Sequence, residues 1–183
     1  DLTPADLAGA TSIRAGLAQV LTLDAAHPDA AIVVFGEKPY AEYAGDSPDH
    51  ALHDEEGLRL LRQYHAAHIP TVAVLLSGRP LWTPGEMALA DAYVAAWLPG
   101  SEGEGIADVL VGDANGRYRR DFQGTLPFHW PATCHDDSAP LLPVGFGGHY
   151  GAQVNLPPLT LTCAAPPRSD TTVLFRRVLG EGV

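Results

Sequence analysis

Apolar and polar positions fall into short blocks that change period along the chain. Residues 11–23 carry apolar side chains at Ile13, Leu17, Val20 and Leu21, a spacing that predicts one face of a helix. Thr11 or Ser12 stands where its N-cap belongs. The run Ala30-Ala31-Ile32-Val33-Val34-Phe35 ends at Gly36 and predicts a strand covered on both faces. Residues 55–68 return to helical spacing through Leu58, Leu61 and Tyr64-His65, and Pro70 closes them. Thr71-Val72-Ala73-Val74-Leu75-Leu76 is a second buried-strand candidate, stopped by Ser77-Gly78. A short helix over 84–90 and a third strand over 92–98 follow. Ser101 with Glu104 three residues on has the form of a capping box opening a helix through Ile106, Val109 and Leu110.

Strand, loop and helix thus repeat three times, which predicts a parallel sheet with helices on both faces. After Asp113 the pattern changes. Residues 113–183 are rich in Gly and Pro, and 159–162 and 172–175 read as short edge or antiparallel strands. No internal repeat is visible.

Composition narrows the class. The 183 residues are 46% hydrophobic and 18% charged, which excludes a disordered or collagen-like chain and suits one domain with a short appendage. No apolar stretch is long enough to span a membrane. Residues 1–12 lack the basic start and apolar core of a signal peptide, and the chain begins at Asp1. That reads as a mature form, a processed piece or a trimmed chain. The net charge of −11 repels phosphate backbones and anionic membranes, so neither nucleic acid nor membrane is an expected partner. Cys134 and Cys163 are too few for a disulfide framework; they form one bridge or remain two thiols.

In an open parallel sheet, ligands meet the loops at the carboxyl ends of the strands. Three loops qualify: 36–54, 77–83 and 99–104. The first is nineteen residues long, which is rare without a function. It gathers Glu37, Lys38, Tyr40, Glu42, Tyr43, Asp46 and His50. Aromatic faces pack against a pyranose, and a carboxyl in a partly apolar setting serves as a proton donor. Other features read blandly. The loop Gly100-Ser101-Glu102-Gly103-Glu104-Gly105 carries two glutamates that disfavour phosphate. The pairs His50/His53 and His65/His68 lack a third metal ligand in the sequence, so no metal and no cofactor is expected. Trp97 and Trp130 read as core; Trp82, just past a strand end, reads as either core or a sugar platform. Arg79 is placed to pair with an acidic residue of the long loop.

The loop Gly36-Glu37-Lys38-Pro39-Tyr40-Ala41-Glu42-Tyr43-Ala44-Gly45-Asp46 resembles the "GE-x-PY-x-E-x-x-GD" segment of family 3 glycoside hydrolases, the β-glucosidases and exo-β-glucan hydrolases. The likeness continues in order. Leu75-Leu76-Ser77-Gly78-Arg79-Pro80 resembles the family's "LxSGRP" strand end. Ala95-Ala96-Trp97-Leu98-Pro99-Gly100-Ser101-Glu102-Gly103-Glu104-Gly105 resembles "AAWLPGSEGQG", followed by Ala107-Asp108-Val109-Leu110-Val111-Gly112-Asp113 for "ADVLFGD". Gly124-Thr125-Leu126-Pro127-Phe128-His129-Trp130-Pro131 and Leu142-Pro143-Val144-Gly145-Phe146-Gly147 resemble "GKLPFSWP" and "LFPFGYGL". Residues 150–183 match nothing in the family.

The resemblance is to the family's second domain. It implies a three-layer αβα sandwich with a mostly parallel sheet of about six strands over 1–147, and a Gly/Pro-rich extension over 148–183 with short antiparallel strands. It also implies a retaining β-glycosidase acting on terminal β-D-glucosyl residues of a β-glucoside or β-glucan. Glu42 aligns with the general acid/base, while the nucleophilic aspartate belongs to a TIM-like barrel absent from this chain. Glu37 and Asp46 shape the loop, and Tyr40, Tyr43 and Trp82 are the candidate sugar contacts. A periplasmic or extracellular location follows from the resemblance alone. The competing expectations are a non-catalytic carbohydrate-binding or scaffolding module and a flavodoxin-like ligand-binding domain. A half-site exposes apolar surface where its barrel docks; a free-standing module does not.

Overall fold

A computed structural model describes residues 11–24, 26–41, 43, 46–47, 49–135 and 140–163. Three parallel strands form its centre in the order β1-β2-β3: β1 Ala31–Gly36, β2 Thr71–Leu76 and β3 Ala92–Trp97. Helix α1 is Ile13–Ala18, α2 Glu55–Ala66, α3 Pro84–Leu89 and α4 Gly103–Leu110. A second, two-stranded antiparallel sheet pairs β4 Trp130–Pro131 with β5 Pro140–Leu142. The chain is therefore α/β. Against about six expected strands, the parallel sheet has three among the described residues.

Each helix follows from local chemistry. Asp54 caps α2 by accepting hydrogen bonds from the Glu56 and Gly57 amides, and Glu55 and Glu56 sit in its first turn where the helix dipole favours acids. The helix ends with His68 in the left-handed region (φ 54°) two residues before Pro70. Gly57 lets α2 lie directly on β1: a Cβ there would stand 2.6 Å from the Phe35 Cβ. The core takes Val33 and Phe35 from β1, Ala73 and Leu75 from β2, and Leu61, Leu81, Met87, Trp130 and Leu141 from the elements around them. Edge-to-face rings join Phe35 to Tyr93 at 6.4 Å and Tyr93 to Trp130 at 6.2 Å. The Tyr93 hydroxyl shares a 2.8 Å hydrogen bond with Thr83 Oγ1.

Three expectations change, and two that the sequence left open, the α1 cap and the cysteine pairing, are decided. Helix α1 stops at Ala18, so Val20 and Leu21 lie beyond it. Ser12 is its cap, accepting from the Ala15 amide. The capping box at α4 does not form: Ser101 turns to the neighbouring Glu102 carboxylate, and Thr11 Oγ1 accepts from the Glu104 amide at 3.1 Å instead. Thr11 can reach because Gly16 and Gly103 bring α1 and α4 into backbone contact; a Cβ on Gly103 would stand 2.3 Å from the Ile13 nitrogen. No strand forms at 159–162, and 172–175 lie outside the described residues. Cys134 and Cys163 are bridged. Their separation of 29 residues corresponds to about 3–4 kcal/mol of restricted unfolded-chain entropy.

Glu86, in the first turn of α3, is 7% exposed. Burial raises its pKa, with nearby Asp54 adding to the effect. The folded protein therefore binds this proton more tightly than the unfolded chain does, so its contribution to stability is fullest below the ordinary carboxylate pKa. That contribution fades as pH climbs through the raised value. Glu86→Gln should raise Tm by a few degrees at pH 7.5, with the gain shrinking towards zero below about pH 4. Thermal melts of both proteins across that range check it.

Candidate active-site rim

The register aligns the strand ends: Gly36 of β1 lies beside Leu76 of β2, which lies beside Trp97 of β3. The ladder continues one step into the loops, where the Glu37 amide donates to the Leu76 carbonyl and the Ser77 amide to the Trp97 carbonyl. Loops 36–54, 77–83 and 97–102 therefore share one rim.

The long loop is pinned at both ends. At its start, Arg79 donates from Nε (3.1 Å) and Nη2 (2.9 Å) to Glu37 Oε1. Arg79 Nη1 reaches the Asp49 carbonyl at 3.3 Å. The other Glu37 oxygen accepts from the Tyr40 hydroxyl at 3.3 Å. Arg79 and Glu37 are both mostly buried, and hydrogen bonding to Glu37 pushes the Arg79 pKa up. Ser77 Oγ donates to the Arg79 carbonyl at 2.7 Å, which turns the backbone so that the guanidinium faces the loop. At its far end, the His50 amide donates to the Cys134 carbonyl (2.8 Å), and the Trp82 amide donates to the His50 carbonyl (2.7 Å). Asp49 Oδ1 accepts from the Ala51 amide and leads the chain into α2.

Between these anchors lie Tyr40 and Tyr43, both exposed; Tyr43 is 85% exposed and holds φ 68°. Glu42 lies outside the described residues. A Cβ added at Gly78 would lie 3.5 Å from the Tyr40 hydroxyl and 3.7 Å from Leu98 Cδ1, so both side chains approach the second loop at Gly78. Leu98 is 73% exposed. Trp97 before it holds φ 54°, a costly conformation for a bulky residue. Trp82 is half-buried, its indole N–H enclosed and without a protein acceptor among the described residues. The rim therefore combines a carboxylate-bearing loop with exposed Tyr40, Tyr43 and Leu98.

The structure brings Glu37, Tyr40 and Arg79 together and gives the sequence-expected Arg79 contact its partner. Asp46 hydrogen-bonds within the loop through its amide, to the Tyr43 carbonyl. Two contributors lay beyond sequence reasoning: the Asp49 carbonyl, and the Cys134 carbonyl that holds His50. Backbone acceptors leave no residue-type signal. Cys134, His135 and Cys163 are the one group among the described residues with metal-ligand spacing. Both sulfurs are committed to the disulfide, so the group offers no thiolate.

The model for the glycosyl hydrolase family 3 C-terminal domain matches residues 14–155. A lysosomal β-glucosidase of Dictyostelium discoideum is 38% identical over 61% of this chain and 13% of its own length. A periplasmic β-glucosidase of Salmonella typhimurium is 34% identical over 56% of this chain and 13% of its own. The crystal structure of an exo-1,3/1,4-β-glucanase from a Pseudoalteromonas species superposes with a TM-score of 0.79 at 41% identity, covering 90% of this chain and 23% of that one. The chain thus spans under a quarter of the length of these relatives.

Arg79→Ala leaves the mostly buried Glu37 carboxylate without its cation. It should cost about 1–3 kcal/mol and speed chymotryptic cleavage after Tyr40 and Tyr43. Adding Glu37→Gln to it should cost less than the two single losses summed. Urea unfolding of the three variants, with timed proteolysis, reads both effects.

Proposed function

The chain belongs to glycosyl hydrolase family 3 as its C-terminal domain, and on that premise we propose that it supplies the general acid/base Glu42 to a retaining β-glucosidase or exo-β-glucanase. The nucleophile is an aspartate of a barrel domain that this chain does not contain. The observation that carries the reading is the rim itself. The loop bearing Glu42 is tied down by Arg79, Glu37 and Tyr40 at one end and by His50 at the other. It is flanked by exposed Tyr40, Tyr43 and Leu98, the surface a docking barrel would cover.

Retaining hydrolysis needs two carboxyl groups about 5–5.5 Å apart across the scissile bond. The nucleophile attacks the anomeric carbon while Glu42, protonated, gives its proton to the departing glycosidic oxygen. Glu42 then accepts a proton from the water that attacks the glycosyl-enzyme at the same carbon, freeing the nucleophile and the sugar. Tyr40 and Tyr43 offer ring faces to the sugar; Trp82, whose indole N–H is enclosed, would meet it only through its ring. Among the relatives, one is named periplasmic and one lysosomal. With the disulfide, this favours an oxidising, extracytoplasmic compartment.

Hydrolysis of an aryl β-glucoside should be absent with these 183 residues and appear when the barrel-bearing polypeptide of the same enzyme is present. In the assembled enzyme, Glu42→Gln should lower kcat by about 10²–10⁴ on a poor leaving group and far less on dinitrophenyl glucoside. Azide should restore turnover of the activated substrate as a β-glucosyl azide. Turnover by the isolated chain would sink the proposal, and oligosaccharide binding without turnover in any mixture would favour a carbohydrate-binding module.

A further inference from the structure

The bend over residues 132–135 gathers a cluster that the rim does not use. A bent backbone lets neighbouring side chains converge, where a strand would send them to opposite faces. Cys134, His135 and Cys163 each offer one ligand atom, and these atoms lie within 4.8 Å of one another. His135 Nε2 stands 3.4 Å from Cys163 Sγ. While the two sulfurs are bridged the cluster has no thiolate. A newly made chain carries the same three groups with both thiols still unoxidised.

We propose that in this dithiol state Cys134, His135 and Cys163 bind a zinc ion. The donor set chooses the class of metal: two thiolates and an imidazole suit zinc, whereas calcium and magnesium take oxygen ligands. The geometry asks for little movement. With Zn–S of about 2.3 Å and Zn–N of about 2.0–2.1 Å, a tetrahedral ion holds sulfur and nitrogen ligands about 3.5 Å apart and two sulfurs about 3.8 Å apart. The 3.4 Å edge between His135 and Cys163 is already of that length, and opening the bridge lets the sulfurs part by the rest. Water fills the fourth position. Cys134 is buried and Cys163 exposed, so a metal and a reductant both reach the cluster from the Cys163 side.

The bridged chain enters the same state by a two-electron reduction. One thiolate of a dithiol reductant attacks Cys163 Sγ, the bond to Cys134 breaks, and Cys134 leaves as a thiolate. The reductant's second thiolate then attacks its own first sulfur, which releases Cys163 and closes the reductant as a disulfide. Each thiol of this chain gives up its proton as zinc binds. The ion then replaces the bridge as the tie between residues 134 and 163, and the Cys134 carbonyl keeps its 2.8 Å hydrogen bond from the His50 amide. Zinc in this position also withholds both thiolates from oxidation.

Cobalt titration of the whole chain, reduced with a phosphine and desalted without oxygen, tests this. The reduced chain should bind one cobalt ion, with thiolate-to-cobalt charge transfer in the near ultraviolet and the d–d bands of a four-coordinate ion, and zinc should bleach both. The oxidised chain should show neither. His135→Gln should keep native circular dichroism while oxidised and, once reduced, lose at least the about 10–100-fold in affinity that an outer-shell partner costs. Zinc should slow re-formation of the bridge by oxidised glutathione, and should slow chymotryptic cleavage of the reduced chain after Tyr43 towards the oxidised rate. A reduced chain without the charge-transfer band would overturn the proposal, as would an affinity indifferent to His135→Gln. Cobalt held equally by the oxidised chain would assign the ion to histidines elsewhere and overturn it as well.

Discussion

Parallel pairing of three strands is the constraint on which the rest depends. Parallel neighbours end on the same side, so the loops after Gly36, Leu76 and Trp97 meet there whatever their sequences. An antiparallel arrangement of the same three apolar runs would send the middle loop to the opposite end and part Glu37 from Arg79. The sheet also separates the tasks. The residues that hold it together are Val33, Phe35, Ala73 and Leu75, buried beneath α2 and α3. The residues with chemistry stand beyond the ends of the strands, free of packing duties.

A nineteen-residue loop needs its own means of holding a shape, since it has few apolar groups to bury. The means here is polar. Glu37 has one oxygen committed to a two-pronged guanidinium contact and the other to a phenol, and the same guanidinium reaches the Asp49 backbone. One cation thus ties residues twelve apart in the loop to a third point on the next strand's end. Because Arg79 and Glu37 are mostly shielded from water, their attraction is screened less than that of the exposed Glu56–Arg59 pair on α2. The disulfide extends the hold by fixing the segment whose Cys134 carbonyl takes the His50 amide.

The three parallel strands and α2 to α4 were legible within a residue or two because their signals are local: unbroken β-branched runs, helical spacing, and Gly or Pro where each element ends, whereas the short β4 and β5 were not anticipated. What escaped the sequence is long-range. Thr11 caps a helix 93 residues away, and only the close approach permitted by Gly16 and Gly103 makes that possible. The local capping box at Ser101 and Glu104 lost to it because Thr11 arrives with four backbone and side-chain hydrogen bonds at once. The bridge between Cys134 and Cys163 has the same character: two thiols are equally visible in the sequence whether or not the fold brings them together. At the rim, the residue types were readable and the pairing of Arg79 was foreseeable, but its partner among several loop acids was a matter of geometry.

On the proposed reading, proton donation by Glu42 depends on what surrounds its carboxyl group. A solvated glutamate is an ordinary acid, ionised at neutral pH, and a poor proton donor to a glycosidic oxygen. Raising its pKa takes the exclusion of water or the nearness of a second carboxylate. On this chain the rim is open, with Tyr43 and Leu98 standing in solvent, and the only strongly buried acid described, Glu86, sits on α3 and serves packing. Both missing conditions would come from one partner, because a barrel that covers the aromatic rim also brings the second carboxylate. The proton-donating power of Glu42 is in this view a property of the interface, and the clamp of Arg79 and Glu37 belongs to the half that holds the donor ready for it.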